Sequence, residues 1–269
     1  MSKKTEKMKK ANREMWIALG IILAIALVIA ILIFVIARGS QQPKPTVQTG
    51  ESSGNQTMNQ EKPAPEIPYE IPGYVTVAGA ELGEINEQLS LTCVGRYTGA
   101  YVEDGTDEPV ADVVAAIVEN TGAERIEYSV IKIPSGEETL YFNISALPVG
   151  ASVLVMEANR AAYVEGMEFY AAECLQLAMP SAGQTADFGE NFRLDAKDGV
   201  INITNLTDQS FESPVKVFFK TELEFNLFLG GIAYSVTAEN GIQAGQTVQI
   251  LSSHYKSGDS QILYMSHEE

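Results

Sequence analysis

The densest group of side chains with chemical potential in this 269-residue chain is acidic and lies in the segment YVEDGTDEPVAD. Calcium prefers six to eight oxygen ligands, and clustered carboxylates on one loop can supply several of them. The spacing is not that of an EF-hand loop, and a solvated hairpin tip explains the same composition. Both interpretations stay open. The candidate calcium ligands are Glu103, Asp104, Asp107, Glu108 and Asp112.

Acid–base or nucleophilic catalysis would depend on one of two histidines, His254 and His267. His254 follows two serines in the segment SSHYKSG, but no G-x-S-x-G elbow surrounds them, and His267 lies near the C-terminus, where disorder concentrates. Zinc-ligand spacings and the glycine patterns of nucleotide-binding loops are missing. The glycines of Gly230-Gly231 lie in an apolar run and indicate a bulge or a close backbone approach. The sequence therefore predicts a protein that is not an enzyme and has no catalytic residues, no cofactor and no metal other than the calcium considered for the acidic loop.

The two cysteines, Cys93 and Cys174, allow two interpretations. An oxidising exterior would permit a disulfide between them, closing a long loop at a gain on the order of 4 kcal/mol. Alternatively, Cys93 is a small buried thiol, because it continues the apolar alternation of the segment LSLTC on one face of a strand.

A third feature is the apolar segment FNLFLGGIAY. If its large side chains are exposed, they form an interaction patch, and if they fold back, they extend a core. The residues of this candidate patch are Phe225, Leu227, Phe228, Leu229 and Tyr234.

All of these residues follow an N-terminal run, residues 15–37, that contains no charge over 23 positions. As an α-helix it is about 35 Å long, which is enough to cross the hydrocarbon core of a bilayer. Residues 1–14 before it are rich in lysine, so the positive-inside rule places them in the cytoplasm and the rest of the chain outside. A cleavable secretory signal is the alternative, although its apolar core usually spans only about 7 to 15 residues. We therefore expect a single-pass signal anchor in the plasma membrane.

Residues 38–73 are rich in Gln, Pro, Ser and Thr and predict a flexible stalk. The first 38 residues hold 7 of the 18 basic and 2 of the 35 acidic residues, which leaves 11 basic and 33 acidic residues and a net charge of −22 on residues 39–269. A surface this negative repels nucleic acid. We expect an envelope or membrane protein as partner, and the low cysteine count favours a bacterial origin.

Beyond the stalk, short alternating apolar runs bounded by Gly, Asn, Asp and Pro predict antiparallel strands. They suggest an all-β ectodomain of two tandem Ig-like sandwich modules, residues 74–180 and 187–266. The predicted strands are 74–78, 88–94, 113–119, 126–133, 139–144, 152–157, 169–177, 192–196, 200–205, 214–220, 232–238, 247–252 and 261–265.

The two sets of strands have matching spacing, as expected for two copies of one module. An offset of 85 residues places Asn120 on Asn205. An offset of 95 residues places the segment Leu147–Val155 on Ile242–Ile250 and matches a glycine in each. The ten-residue difference falls around the segment TELEFNLFLGG. Chance can also produce such loose periodicity in two β domains.

Taken together, these features predict a membrane-anchored, non-enzymatic binding or structural module of the cell envelope. One alternative is an accessory or sensory subunit of a membrane complex, with the apolar helix as the contact. The other is an extracellular hydrolase whose paired carboxylates meet only in the folded chain.

Overall fold

The computed structural model of the protein describes residues 70–77, 80–180 and 191–267. The predicted tail, the apolar run and all but the last residues of the predicted stalk lie outside these ranges. The described residues belong to one compact unit, Asn59–Glu269, and are all-β. Within these ranges, no helix is long and apolar enough to span a bilayer.

Every strand predicted from the sequence has a counterpart within the described ranges, although several are longer than expected and others begin or end at different residues. The predicted strand 169–177 forms only from Glu173, and a two-residue strand at residues 83–84 was not predicted. The strands are β1 (Tyr74–Thr76), β2 (Gly83–Glu84), β3 (Leu89–Tyr101), β4 (Glu108–Asn120), β5 (Ile126–Ser135), β6 (Glu138–Leu147), β7 (Ser152–Met156), β8 (Glu173–Ala178), β9 (Phe192–Lys197), β10 (Val200–Asn205), β11 (Val215–Glu224), β12 (Leu227–Ala238), β13 (Thr247–Leu251) and β14 (Ser260–His267).

The strands form three sheets, and the strand order repeats along the chain. The first half of the β region, β1–β8, contributes the order β3-β4-β7 to one sheet, with β1 and β2 beside β3, and the order β6-β5-β8 to another. The second half, β9–β14, has the orders β9-β10-β13 and β12-β11-β14. Each strand of the second half therefore has a counterpart at the same place in the first.

Two buried asparagines mark this correspondence at the level of single hydrogen bonds. Asn120 Nδ2 donates to the carbonyl oxygens of Glu124 and Leu147 at 2.9 and 3.0 Å. Asn205 Nδ2 donates to the carbonyl oxygen of Gln209 at 2.7 Å and to that of Ile242 at 3.2 Å. The acceptors correspond as well: Gln209 follows Glu124 by the offset of 85 residues, and Ile242 follows Leu147 by the offset of 95 residues. Their loops continue alike, since Gly150 and Gly245 both have a φ of 67°.

A parallel pairing joins the two halves. The start of β12, Leu227–Leu229, pairs with Ser152–Leu154 of β7, so that the β3-β4-β7 and β12-β11-β14 orders form one long sheet. A tight hairpin joins only antiparallel strands, and two parallel strands need a long connection between them. The boundaries 74–180 and 187–266 therefore separate two halves that share a sheet.

Each half has its own apolar core between facing sheets. In the first half, alternate residues of β3, β4 and β7 pack on β5 and β6, and Phe228 of β12 joins them. In the second half, β10 packs on β11 and β12. The opposite faces of β4 and β7 are apolar as well, with Ala115, Ile117 and Leu154 in a further buried cluster. Strands buried on both faces explain why the segment DVVAAIVEN reads as a continuous apolar run rather than an alternation.

Candidate functional site

The acidic loop, residues 102–107 between β3 and β4, reaches the place where the two halves meet. Its first carboxylate, Glu103, points inward and accepts three backbone N–H groups. The donors are Met156 at 2.8 Å, Gly231 at 2.8 Å and Ile232 at 3.3 Å. Met156 belongs to β7 and the other two to β12, so Glu103 connects both halves of the β region.

Lys220 lies on the opposite side of the same β12 backbone. Its side chain is fully buried, and Nζ donates to the carbonyl oxygens of Gly230 and Gly231 at 2.7 and 2.5 Å. Burial lowers the pKa of Lys220 to about 7, against an opposing effect of Glu103. Burial likewise raises the pKa of Glu103, against the hydrogen bonds that favour its ionised form. The peptide at Gly231 is thus held from its N–H by a carboxylate and from its carbonyl by an amine.

Gly230-Gly231 forms the bulge and close backbone approach that the sequence predicted. The register of β12 against β11 shifts between Phe219 and Thr221, opposite these glycines. Gly230 has a φ of 84°, and a Cβ added to Gly231 would lie 1.9 Å from the carbonyl oxygen of Asn143. Only glycine fits so close to another backbone.

Asp104 of the loop and Glu108 at the start of β4 lie at the surface beside an arginine. Asp104 and Glu108 both form ion pairs with Arg160, at 2.6 and 3.1 Å. Hydrogen bonds from Thr106 are the main reason that the pKa of Asp104 lies below its ordinary value, and Arg160 adds to this effect. Such exposed pairs stabilise a fold little and mainly fix the loop conformation.

Asp107 connects the loop to two aromatic side chains of the second half. Its Oδ1 accepts the hydroxyl of Tyr234 at 2.8 Å, and its Oδ2 lies 3.2 Å from His254 Nδ1. The rings of Tyr234 and His254 stack with centroids 4.4 Å apart. Burial, and secondarily Asp107, raises the pKa of Tyr234.

The acidic residues considered as calcium ligands therefore do not converge on one point. Asp112, the last of them, pairs with Arg96 at 3.0 Å outside the loop. Within the described ranges, no group of three or more His, Cys, Asp or Glu side chains is placed to hold a metal ion. Through Glu103 and Asp107, the loop instead connects the two halves.

His254 has a carboxylate partner but not the rest of a hydrolytic triad. Nucleophilic catalysis needs a serine hydroxyl within hydrogen-bond reach of the histidine. In the described part of the chain, the hydrogen bonds of His254 lead to Asp107 and none leads to a serine. His267, by contrast, is the last residue of β14 and pairs with Val215 of β11.

Both cysteines are free thiols, so the disulfide considered above is not formed. Cys93 lies in the apolar cluster on the outer face of β3 and is fully buried. Cys174 lies in β8, in a different sheet, 3.6 Å from the hydroxyl of Ser129. The alternation in LSLTC predicted the buried strand position of Cys93 but not its face, because a bulge between Leu91 and Cys93 turns the thiol to the other side.

The apolar segment folds back for the most part. Leu227 and Phe228 are buried on opposite faces of the long sheet, while Leu229 and Tyr234 are half-buried. Phe225 is 78% exposed at the β11–β12 turn, where it has a φ of 49° and the next residue, Asn226, has a φ of 61°. The interaction patch is thus reduced to the tip of a hairpin.

Sequence reasoning did not single out the edge of β13 that faces away from β10, where the described part of the chain has no further strand. A groove of about 580 Å³ runs beside this strand, between it and the end of β12. Leu251, at the end of β13, is 75% exposed, and Glu239 is the acidic residue of the lining. The offset of 95 residues carried the signal, because it places β13 on β7, a strand that has neighbours on both sides.

Comparison of the sequence with protein-family models, with curated proteins and with solved structures gives no match.

Proposed function

We propose that this protein is a membrane-anchored, non-enzymatic module of the cell envelope that binds or spaces another envelope protein. Its outer part would consist of two tandem Ig-like sandwich modules held away from the membrane by the stalk. The observation that carries the proposal is the use of the ionisable groups. Glu103 and Asp107 connect the two halves, Lys220 holds the peptide that Glu103 binds, and Arg160 fixes the loop that carries both carboxylates, so these groups do not converge on a cleft.

The repeated strand order supports the tandem-module part of the proposal. β3-β4-β7 with β6-β5-β8 has the arrangement of β9-β10-β13 with β12-β11-β14. Two facing antiparallel sheets in each half are the architecture of a sandwich. The sequence supports the anchor and the stalk, and the net charge of −22 on residues 39–269 makes a nucleic-acid partner unfavourable.

Affinity capture from the native membrane tests the proposal. Three forms are compared: the full chain, a form without residues 71–269, and a form whose residues 15–37 are replaced by an unrelated anchor. A binding module retains its partner after the anchor swap and loses it without the outer part. Retention without the outer part would favour an accessory subunit that associates through its helix, and turnover of an envelope glycan by the full chain would favour the hydrolase.

A further inference from the structure

The counterpart strands β7 and β13 differ in one respect. β7 pairs with β4 on one side and with β12 on the other. β13 pairs with β10, and the described ranges supply no strand on its other side. The two strands correspond residue by residue, since an offset of 95 carries Ser152–Met156 onto Thr247–Leu251. Among the described residues, an edge is therefore covered in the first half whose counterpart in the second half has no strand beside it.

The backbone amides on the two edges show the difference. On β7, Ser152 N–H donates to the carbonyl oxygen of Asn226 at 3.0 Å, and Met156 N–H donates to Glu103 at 2.8 Å. These amides point away from β4, and each donates to an acceptor outside that strand, Asn226 in the β11–β12 turn or Glu103 in the acidic loop.

On β13 the corresponding amides point away from β10. Asn205 N–H donates to the carbonyl oxygen of Gln246, and Ser252 N–H donates to that of Gly199. Because inward and outward groups alternate along an antiparallel strand, the odd-numbered residues between them face away from β10. These outward amides belong to Thr247, Gln249 and Leu251.

The side chains beneath the two edges differ in the same way. Val153 and Val155 of β7 are both 0% exposed, in the cluster that Phe228 of β12 completes. Their counterparts Val248 and Ile250 of β13 remain half-buried. The second half thus has a place for a strand and for a large apolar side chain beside the groove.

We infer that the free edge of β13 is a strand-addition site for an extended segment of a partner polypeptide. The segment runs parallel to β13, as β12 runs parallel to β7, and inserts one large apolar side chain as Phe228 does. Main-chain hydrogen bonds supply affinity in this mode, and the side-chain pocket supplies specificity. Glu239 in the lining and the net charge of −22 favour a neutral or basic segment.

One other occupant and one other edge fit the structure less well. A second copy cannot present its β12 in this way, because Leu227–Leu229 is already paired with β7. β8 also has a neighbour on one side within the described ranges, but its counterpart β14 is an edge strand too, so the repeat indicates no occupant there. This inference rests on the proposed binding function and adds the location and the form of the ligand.

The test uses the full chain in detergent micelles and a fluorescent peptide with the sequence of residues 224–232, EFNLFLGGI, followed by two lysines for solubility. This is the segment with which the chain covers the equivalent edge of its first half. We expect saturable binding by fluorescence anisotropy. The peptide carrying the F228D change should bind about tenfold more weakly, because its large apolar side chain is replaced by a charge.

The Q249P variant removes one outward amide and should weaken binding about tenfold, because proline is tolerated on the free side of an edge strand but cannot donate there. Q249A keeps the amide and should bind like the native chain. If Q249P alters the circular dichroism spectrum, Leu251→Arg replaces it, since that side chain is 75% exposed. It should weaken binding, because it removes apolar surface at the groove and places a positive charge against the two lysines of the peptide.

Absence of saturable binding, or equal binding by native, Q249P and Leu251→Arg chains, would overturn the inference. So would a concentration-dependent dimer that Q249P abolishes, because the edge would then serve a second copy. None of these outcomes touches the proposed function, which fails instead if capture from the native membrane does not depend on residues 71–269.

Discussion

Asn120 and Asn205 make the same hydrogen bonds at the same place in successive halves of the protein. Each is fully buried at the end of a strand, and each donates to a carbonyl four residues later and to a second one, at the end of β6 for Asn120 and in the loop before β13 for Asn205. A buried backbone carbonyl left without a donor costs roughly 1–3 kcal/mol.

We therefore expect Asn120→Ala and Asn205→Ala each to lower the free energy of unfolding by about 2 kcal/mol, measured by urea denaturation. Asn202→Ala is the matched control, because its exposed hydrogen bonds to Asp195 and Gln249 should contribute less than about 0.5 kcal/mol. Similar effects of all three substitutions would argue against a structural role for the buried pair.

Gly231→Ala tests the close approach of β12 to β6. The new methyl group would meet the carbonyl of Asn143 at 1.9 Å and Val155 at 2.6 Å, so we expect a loss of about 3 kcal/mol or more in unfolding free energy. Gly136→Ala, at a φ of 59° in open space, should cost only about 1 kcal/mol. Equal losses in thermal or urea unfolding would mean that β12 lies farther from β6 than described.

Lys220→Met tests the buried amine through the pH dependence of stability. Burial lowers the pKa of Lys220 from 10.5 to about 7, so the unfolded chain binds more protons than the folded chain between these values. Unfolding free energy should accordingly rise with pH from 7 to 9, by on the order of 2 kcal/mol. The variant should lack this rise.

The experiment compares urea denaturation at pH 7, 8 and 9 for the native chain, Lys220→Met and the surface control Lys132→Met. The window ends at pH 9 because burial also raises the pKa of Cys93, from 9.0 to about 11, which removes stability above that pH. The control should keep the native slope. A native slope in Lys220→Met would show that the amine is not buried in its uncharged form.

Thiol titration distinguishes the two cysteines. Cys174 is partly exposed and should react with an aromatic disulfide reagent in the native chain, whereas Cys93 is buried with a raised pKa and should react only after unfolding. We expect one thiol per chain in native buffer and two in denaturant. Two unreactive cysteines in denaturant without reductant would indicate the disulfide instead.

Alternation and turn residues were enough to predict the strands and the equivalence of Asn120 with Asn205. Both depend on local periodicity and on spacing that a repeat preserves. The face of Cys93 was not predictable, because a one-residue bulge reverses the orientation of every side chain after it.

The site at the junction depends on contacts that no local pattern encodes. Glu103 and Lys220 stand 117 positions apart, and their partner is a peptide group rather than a side chain. Gly230 and Gly231, whose backbone lies between these two side chains in space, gave the one local signal, because glycines in an apolar run predict a bulge. The acidic loop looked like a metal site because sequence shows how many carboxylates are clustered but not where each one points.

The parallel pairing of β7 with Leu227–Leu229 sets the order in which the chain can be completed during synthesis. The first half leaves the ribosome before the strand that covers its edge exists, with Val153 and Val155 open to other chains. A chain stopped before residue 227 would present that edge permanently, as a template for aggregation. The first half is therefore complete only when β12 of the second half has paired with it, and the two halves finish folding together.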